Sequence, residues 1–278
     1  MKPKIYLLAL LPFIALIVFY EIIPIMMIVV RSFMPSGGIG FTIEHYTDIF
    51  SRRFYLQAII NSIVVSFGSS AIGLAISFFG AKAAHSSKIK QKKFFLSILN
   101  MTSNFAGIPL AFSYMILLGN VGVLVLFGKS FGIEALANFQ LYTVSGLMLT
   151  FVYFQVPLST MLLIPAFEAL RKEWRESVSL FGGNSFYYYI KIALPVMTPS
   201  IMGTLSVLFA NALSAYATAY ALLLNNYPLL PIRIAEQFTG DVSQHKEFGS
   251  ALAVVMMLLM VAAIMINHAI VKRQRSRT

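Results

Sequence analysis

Residues 168–199 read EALRKEWRESVSLFGGNSFYYYIKIALPVMTP and form the longest polar interruption between two segments apolar enough to cross a bilayer. Residues 168–176 are charged and amphipathic, Gly182-Gly183-Asn184-Ser185 breaks the pattern, and residues 186–192 are aromatic and run to Leu194-Pro195. Glycine relieves the backbone at a bend and proline favours the first turn of a helix, so the stretch predicts helix, turn, helix, with Pro195 starting the next element. Such a hairpin is too polar for hydrocarbon and too apolar on one side for water. It should dock into something.

The chain around it is greasy. Of its 278 residues 58% are hydrophobic and 11% are charged, with a mean hydropathy of +0.80, whereas soluble domains carry about 25% charge. The composition is that of a membrane protein. The net charge of +11 comes from basic residues dispersed between apolar runs, not from one patch interleaved with aromatics, which argues against nucleic acid as a partner. The absence of cysteine excludes disulfides and thiolate-bound metals. His45, His85, His245 and His268 are far apart in sequence, so no metal site is expected.

A helix needs about 20 apolar residues to cross the hydrocarbon core. Six stretches qualify, at about 6–30, 58–84, 94–118, 141–165, 196–224 and 249–271. The first is too long for a secretory signal and has no small-residue cleavage site before Arg31, so it reads as an uncleaved span. The expectation is an all-α polytopic membrane protein forming a single transmembrane domain over residues 1–278, with the hairpin at 167–195. Residues 119–140 are half apolar and punctuated by glycine, consistent with a short interfacial helix or a plain loop.

Lysine and arginine bias sets the orientation. With both termini inside, the cytoplasmic side receives Lys2, Lys4, Lys82, Lys88, Lys90, Lys92, Lys93, Arg171, Lys172, Arg175, Lys191 and the tail Lys272, Arg273, Arg275 and Arg277. The opposite side receives Arg31, Arg52, Arg53, Lys129, Arg233 and Lys246, so the bias is fifteen to six. The hairpin then lies in the cytoplasm.

In the hairpin, Glu176 is followed by Gly182 after six residues, by Ile192 after ten more, and then by Leu194-Pro195. This spacing resembles the cytoplasmic EAA loop of permease subunits of binding-protein-dependent ABC importers, in which Glu-Ala-Ala, three residues, Gly, nine residues, Ile, one residue and Leu-Pro follow in order. Ser177 and Val178 stand where that family prefers alanines, and a β-branched valine suits a tight helix contact less well. The resemblance extends weakly over most of the chain and looks most like the branch serving spermidine/putrescine, iron(III), thiamine and phosphonate import.

It implies a type I (MetI-like) permease fold with six spans and cytoplasmic termini in a bacterial inner membrane. The implied partners are cytoplasmic ABC ATPase subunits, a second membrane permease subunit that is often a different chain, and an extracytoplasmic substrate-binding protein. Under it Glu176, Ser177, Val178, Gly182, Ile192, Leu194 and Pro195 form the ATPase-coupling loop, with Glu176 the bridging charge, Gly182 the tight turn and Pro195 the rigid start of the fifth span. The plainer alternative is a solvated helix laced by pairs between Glu168, Glu173, Glu176 and Arg171, Lys172, Arg175.

Nothing in the chain reads as an engine. Gly128-Lys129-Ser130 ends like a phosphate-binding loop, but that motif needs a glycine separated by four residues from the Gly-Lys pair, and Val123 occupies the place. No hydrolase or metalloprotease signature occurs, and no catalytic residue or cofactor is expected. If transport is uphill, its energy comes from a partner or an ion gradient. Polar side chains inside spans face protein or a wet cavity, which makes Asn104, Asn211, Ser214, Thr218 and Glu21 candidates for a substrate path, with Thr102, Ser103, Tyr216 and Tyr220 nearby. Their alternative is interhelical hydrogen bonding, and for Glu21 a protonated or interfacial carboxyl bonded to a neighbouring helix. A polyamine-like or other small organic solute is the expected cargo. The competing function, an ATP-independent secondary transporter or channel, predicts inverted repeats or broken helices in matching halves, and neither is legible in the sequence.

Overall fold

The computed structural model describes residues 3–37, 40–239 and 245–275. Lys2 and Arg277, counted above in the charge bias, lie outside the described residues, and so do the side chains of Lys4 and Arg275.

Among the described residues every regular element is helical. The chain opens with α1 (Pro3–Ile17) and α2 (Ile23–Arg31), then α3 (Glu44–Ser51), α4 (Arg53–Ser86), α5 (Ile89–Ser103) and α6 (Ile108–Leu118). It continues through α7 (Val123–Phe131), α8 (Glu134–Ala137), α9 (Val144–Glu168), α10 (Lys172–Leu180) and α11 (Ser185–Tyr188). The last elements are α12 (Leu194–Leu213), α13 (Tyr216–Leu223), α14 (Leu230–Thr239) and α15 (Lys246–Arg275).

Two π-helical turns, Val18–Ile22 and Tyr189–Ala193, join α1 to α2 and α11 to α12. Each ends just before an X-Pro step, Ile23-Pro24 and Leu194-Pro195. Proline lacks an N–H and its ring collides with the carbonyl four residues back. Widening the turn removes the collision while the helix continues: the N–H of Ile23 donates to Val18 O and that of Leu194 to Tyr189 O. Pro195 therefore does not start a separate helix after a break, as the sequence suggested. The second limb of the hairpin runs on into a span.

Six helical stretches among the described residues are long and apolar enough to cross a membrane: Leu10–Arg31, Arg53–Ser86, Ile108–Phe131, Val144–Glu168, Ser185–Leu213 and Lys246–Arg273. The number agrees with the sequence reading, and two positions shift. The stretch expected as a third span at 94–118 breaks at 104–107, where Gly107 has φ +73 and Pro109 opens α6. The long apolar stretch lies further on, so part of the 119–140 segment becomes α7 within it. The fifth stretch ends at Leu213, and residues 214–215 separate it from α13. No glycine or proline marks that break. Ser214 Oγ donates back to the carbonyls of Ala210 and Asn211 at 3.0 and 3.2 Å, and such back-bonding bends helices. Two spans are interrupted where none was expected.

By their internal contacts the residues form two compact units, Met1–Ile59 with Pro228–Leu258, and Ile60–Tyr227 with Leu259–Thr278. In the first, none of the apolar window within Leu10–Arg31 is buried. The loop after it is tied down by His45 Nε2 donating to Met34 O at 2.8 Å and by Tyr46 OH donating to Ser32 Oγ at 2.7 Å. Arg233 Nη1 donates to both carboxylate oxygens of Glu236 at 2.7 and 2.8 Å, and Arg233 Cζ lies 4.3 Å over the Phe54 ring.

In the second unit α9 is central: just over half of its apolar window is buried, and it packs against α5 and α12. A polar seam joins it to α4. Ser77 Oγ donates to Val156 O at 2.9 Å, Ser159 Oγ donates to Ser77 Oγ, and Gln155 Nε2 donates to Ser69 Oγ at 2.9 Å. Lipid solvates apolar side chains as well as protein does, so close approach of small residues and interhelical hydrogen bonds hold such helices together. Toward the hairpin the seam gives way to an apolar cluster of Ala81, Ala84, Leu163, Ile164, Phe167 and Met197.

Candidate functional site

The hairpin closes by a mechanism visible in its backbone. The N–H of Gly183 donates to Val178 O at 2.9 Å and that of Gly182 to Ser179 O at 3.1 Å, the paired bonds of a Schellman termination, with Gly182 left-handed at φ +78. Asn184 then caps α11, its Oδ1 accepting from Tyr187 N at 2.9 Å. A Cβ on Gly182 would meet nothing within 4 Å, whereas one on Gly183 would lie 2.5 Å from Val178 Cγ1. Both glycines are required, the first for its dihedral and the second for its missing side chain.

Val178 is buried with Tyr188 and Ala193, with Leu170, Trp174, Tyr189 and Ile192 packed around them. Valine at 178 thus corrects the expectation drawn from its β-branch: the side chain faces inward and fills the hairpin's own small core. Ile192 serves the same core. Glu176 and Ser177 are exposed, and Leu194 is at the edge of exposure. The near-neighbour ion pairs do not form. Among the described residues Glu168 pairs instead with Lys92 of α5, so Lys92 does more than anchor the chain at a charged surface.

At its tip the closed hairpin shows apolar side chains to solvent. Leu180 and Phe181 are 87% and 92% exposed, and Phe186 is 72% exposed. Beneath this tip lies a groove of about 690 Å³ lined by Trp174, Val178, Phe181, Tyr187, Ile192 and Val196 among others. Contiguous exposed apolar surface of this kind marks an interaction site.

The path candidates are partly brought together. Thr218 Oγ1 donates to Gly107 O at 3.2 Å, which joins the break after α5 to α13, just past the break after α12. Asn104 caps α5 at that first break, is exposed, and donates to its own Asn100 O at 2.8 Å. Asn211 and Ser214 are exposed near the second, and Tyr216 stacks on Tyr220 with centroids 5.3 Å apart. Thr218 is buried and acts as interhelical glue. Glu21 falls in the Val18–Ile22 π turn, exposed, on the stretch with no buried apolar window. Among the described residues no three His, Asp or Glu side chains converge as a metal would require.

Gly183, Tyr188 and Lys82 were not singled out from the sequence. Gly183 was legible only as half of a Gly-Gly pair, and the roles of the other two depend on contacts that spacing does not carry.

No family model matches the chain. Among curated proteins it is 25% identical over 260 residues to the spermidine/putrescine transport system permease protein PotB of Haemophilus influenzae, covering 91% of this chain and 89% of that one. It is 22% identical over 248 residues to PotC of Escherichia coli, covering 88% of each. With the thiamine transport system permease protein ThiP of Escherichia coli it shares 23% identity over 179 residues, 64% of this chain and 33% of the other. Its fold is similar to the crystal structure of a bacterial ABC transporter involved in the import of the acidic polysaccharide alginate, with a TM-score of 0.75 over 97% of this chain and 96% of that chain at 14% identity. It is also similar to the MetNI methionine ABC transporter, with a TM-score of 0.56 over 79% and 95% of the two chains at 13% identity.

Proposed function

We propose that this chain, whose homologues are ABC permeases and whose fold is that of ABC transporter membrane subunits, lines half of an importer's path and is driven through its 167–195 hairpin. The observation that carries the coupling role is the hairpin's construction: closed by its own hydrogen bonds and core, it still exposes Leu180 and Phe181. A rigid element with an apolar tip transmits displacement. A groove on a cytoplasmic ATPase subunit supplies the surface that the tip lacks, and Glu176, exposed beside it, supplies a charge to the contact. Because the second limb continues without a break through the Tyr189–Ala193 turn into α12, movement of the tip reaches the fifth span directly.

In this reading both termini and the hairpin are cytoplasmic, the membrane is a bacterial inner membrane, and the residues form a single permease domain. A second permease chain completes the path and an external binding protein delivers the cargo. The cargo is a polyamine-like or other small organic solute. Two observations support it: two of the relatives described above are spermidine/putrescine permeases, and Asn104, Asn211, Ser214, Tyr216 and Tyr220 put neutral polar and aromatic groups near the two breaks. The interrupted spans also suit an ATP-independent transporter; the homology to ABC permeases favours the driven one.

The test is a mild-detergent pull-down of the tagged chain from its native membrane, beside the Glu176→Lys variant. Recovery of an ATPase subunit with the wild type and its loss with the variant is expected. Recovery of the chain alone under conditions that keep known complexes intact overturns the coupling role.

A further inference from the structure

A second cavity, of about 470 Å³, opens on the other side of the hairpin, between the end of α4, the end of α9 and α10. Four cations line it, Lys82 from the end of α4 and Arg171, Lys172 and Arg175 from the start of the hairpin. One carboxylate, Glu176, faces them. Its apolar wall is Phe167, Leu170 and two tyrosines, and Lys82 Nζ sits 4.1 Å over the Tyr189 ring.

A dispersed bias of lysine and arginine explains why the residues are basic. It does not explain why four of them converge on a concave surface that holds a single carboxylate. Among the described residues none of the four makes an ion pair, although Glu168, Glu173 and Glu176 are close in sequence, and Glu168 turns away to Lys92. Arg175 has only a long contact, 3.4 Å, to Ser185 Oγ. Several cations held near one another repel unless an anion joins them. Guanidinium groups match phosphate oxygens in geometry as well as charge.

We propose that this pocket binds a phosphate group, and that the anionic headgroup of a membrane phospholipid supplies it. The apolar wall favours a lipid over a free ion, because Phe167 and Tyr189 lie near the ends of two stretches long and apolar enough to cross a bilayer. Basic pockets between spans at the cytoplasmic face hold anionic headgroups in this manner. The choice of leaflet rests on the cytoplasmic placement proposed above. With the headgroup seated, α4, α9 and α10 are pinned together beside the coupling tip, so the lipid adjusts the hairpin's stiffness.

The experiment uses the full chain purified with whatever subunits accompany it. Native mass spectrometry compares retention of phosphatidylglycerol with that of phosphatidylcholine for the wild type, Lys82→Gln, Arg175→Gln, the charge-keeping Arg175→Lys, and Lys129→Gln as an exposed basic control elsewhere. In a parallel arm the fluorescence of Trp174, the single tryptophan, is followed in phosphatidylcholine nanodiscs as inorganic phosphate replaces chloride at constant ionic strength. Expected is selective retention of phosphatidylglycerol that falls about fivefold for each cation removed, falls less in Arg175→Lys, where the charge stays and the guanidinium fork is lost, and is unchanged in Lys129→Gln, with no response to phosphate. A Trp174 response to phosphate without lipid selectivity would keep the phosphate site and reassign its source. Equal retention in every monodisperse variant with no phosphate response overturns the proposal. So does loss of an ATPase subunit from Lys82→Gln and Arg175→Gln with phosphatidylglycerol still bound, which would make the cations a protein contact. Lipid retention needs no ATPase, so failure of the coupling role leaves this readout intact.

Discussion

The amide of Gly183 donates to the carbonyl of Val178 at 2.9 Å, and a Cβ on Gly183 would stand 2.5 Å from Val178 Cγ1. The hydrogen bond closes the turn and the absent methyl allows it, so the two residues work as one unit.

Gly183→Ala should therefore loosen the hairpin by about 1–3 kcal/mol through overpacking, and adding Val178→Ala should recover part of the loss. Gly182 differs, because its cost is dihedral alone: Gly182→Leu should cost about 1–2 kcal/mol, and Gly182→Asn less, since asparagine tolerates the left-handed region. Limited proteolysis within the hairpin, read beside ATP-driven uptake in vesicles, ranks the four variants. A double variant no better than Gly183→Ala would remove the steric pairing.

The seam between α4 and α9 makes a second prediction, which depends on a buried imbalance. Gln155 is wholly buried and its Nε2 donates to Ser69 Oγ, while its Oε1 has no partner among the described residues. Leaving a buried donor unmatched costs about 1–3 kcal/mol, whereas replacing both partners by apolar groups is close to neutral. Ser69→Ala alone should destabilise the purified protein by that amount, Gln155→Met should change stability by less, and the double variant should recover most of the Ser69→Ala loss. Equilibrium unfolding in detergent measures all three. An additive double variant would mean the bond contributes nothing specific.

Thr218 separates glue from path. Its hydroxyl donates to Gly107 O across the two interrupted spans, while Asn104 and Asn211 remain exposed. Thr218→Val should lower stability by about 0.6–1.7 kcal/mol, from the average to the largest interhelical bond in membrane double-mutant cycles, with Thr218→Ser close to wild type. Asn104→Ala and Asn211→Ala should leave melting unchanged and raise the KM for uptake. If both asparagine variants transport normally, the path runs elsewhere.

The number of spans and the hairpin were legible because each rests on local chemistry: apolar runs of crossing length, two glycines, and prolines at fixed offsets. The interruptions at 104–107 and 214–215 were not. Pro109 was visible at the first but reads equally well as an ordinary first-turn proline, and the second depends on Ser214 turning back to its own helix. Hydropathy averages over both. Inside the hairpin the motif spacing located Glu176, Gly182 and Ile192 but could not say which face each would take. Val178 looked like a departure on an outer contact and proved to be core, because facing direction is set by Tyr188 and Ala193 on the returning limb. The convergence of Lys82 with Arg171, Lys172 and Arg175 lay beyond any local reading, since α4 and α10 are far apart in sequence.

The orientation is open to a direct test because the chain has no cysteine of its own, so a single introduced thiol reports without background. Ser179 and Ser130 are both exposed, the first in the hairpin and the second in α7. The excess of lysine and arginine places residue 179 inside and residue 130 outside. Ser179→Cys should react with a membrane-impermeant maleimide only in inside-out vesicles, and Ser130→Cys only in right-side-out ones. The result is sharp because six crossings fix every other loop once one is assigned. Labelling of both positions from the same side would require an odd span to be lost between them. That would fall on Val144–Glu168, the crossing that separates the two sites and whose core carries the polar seam.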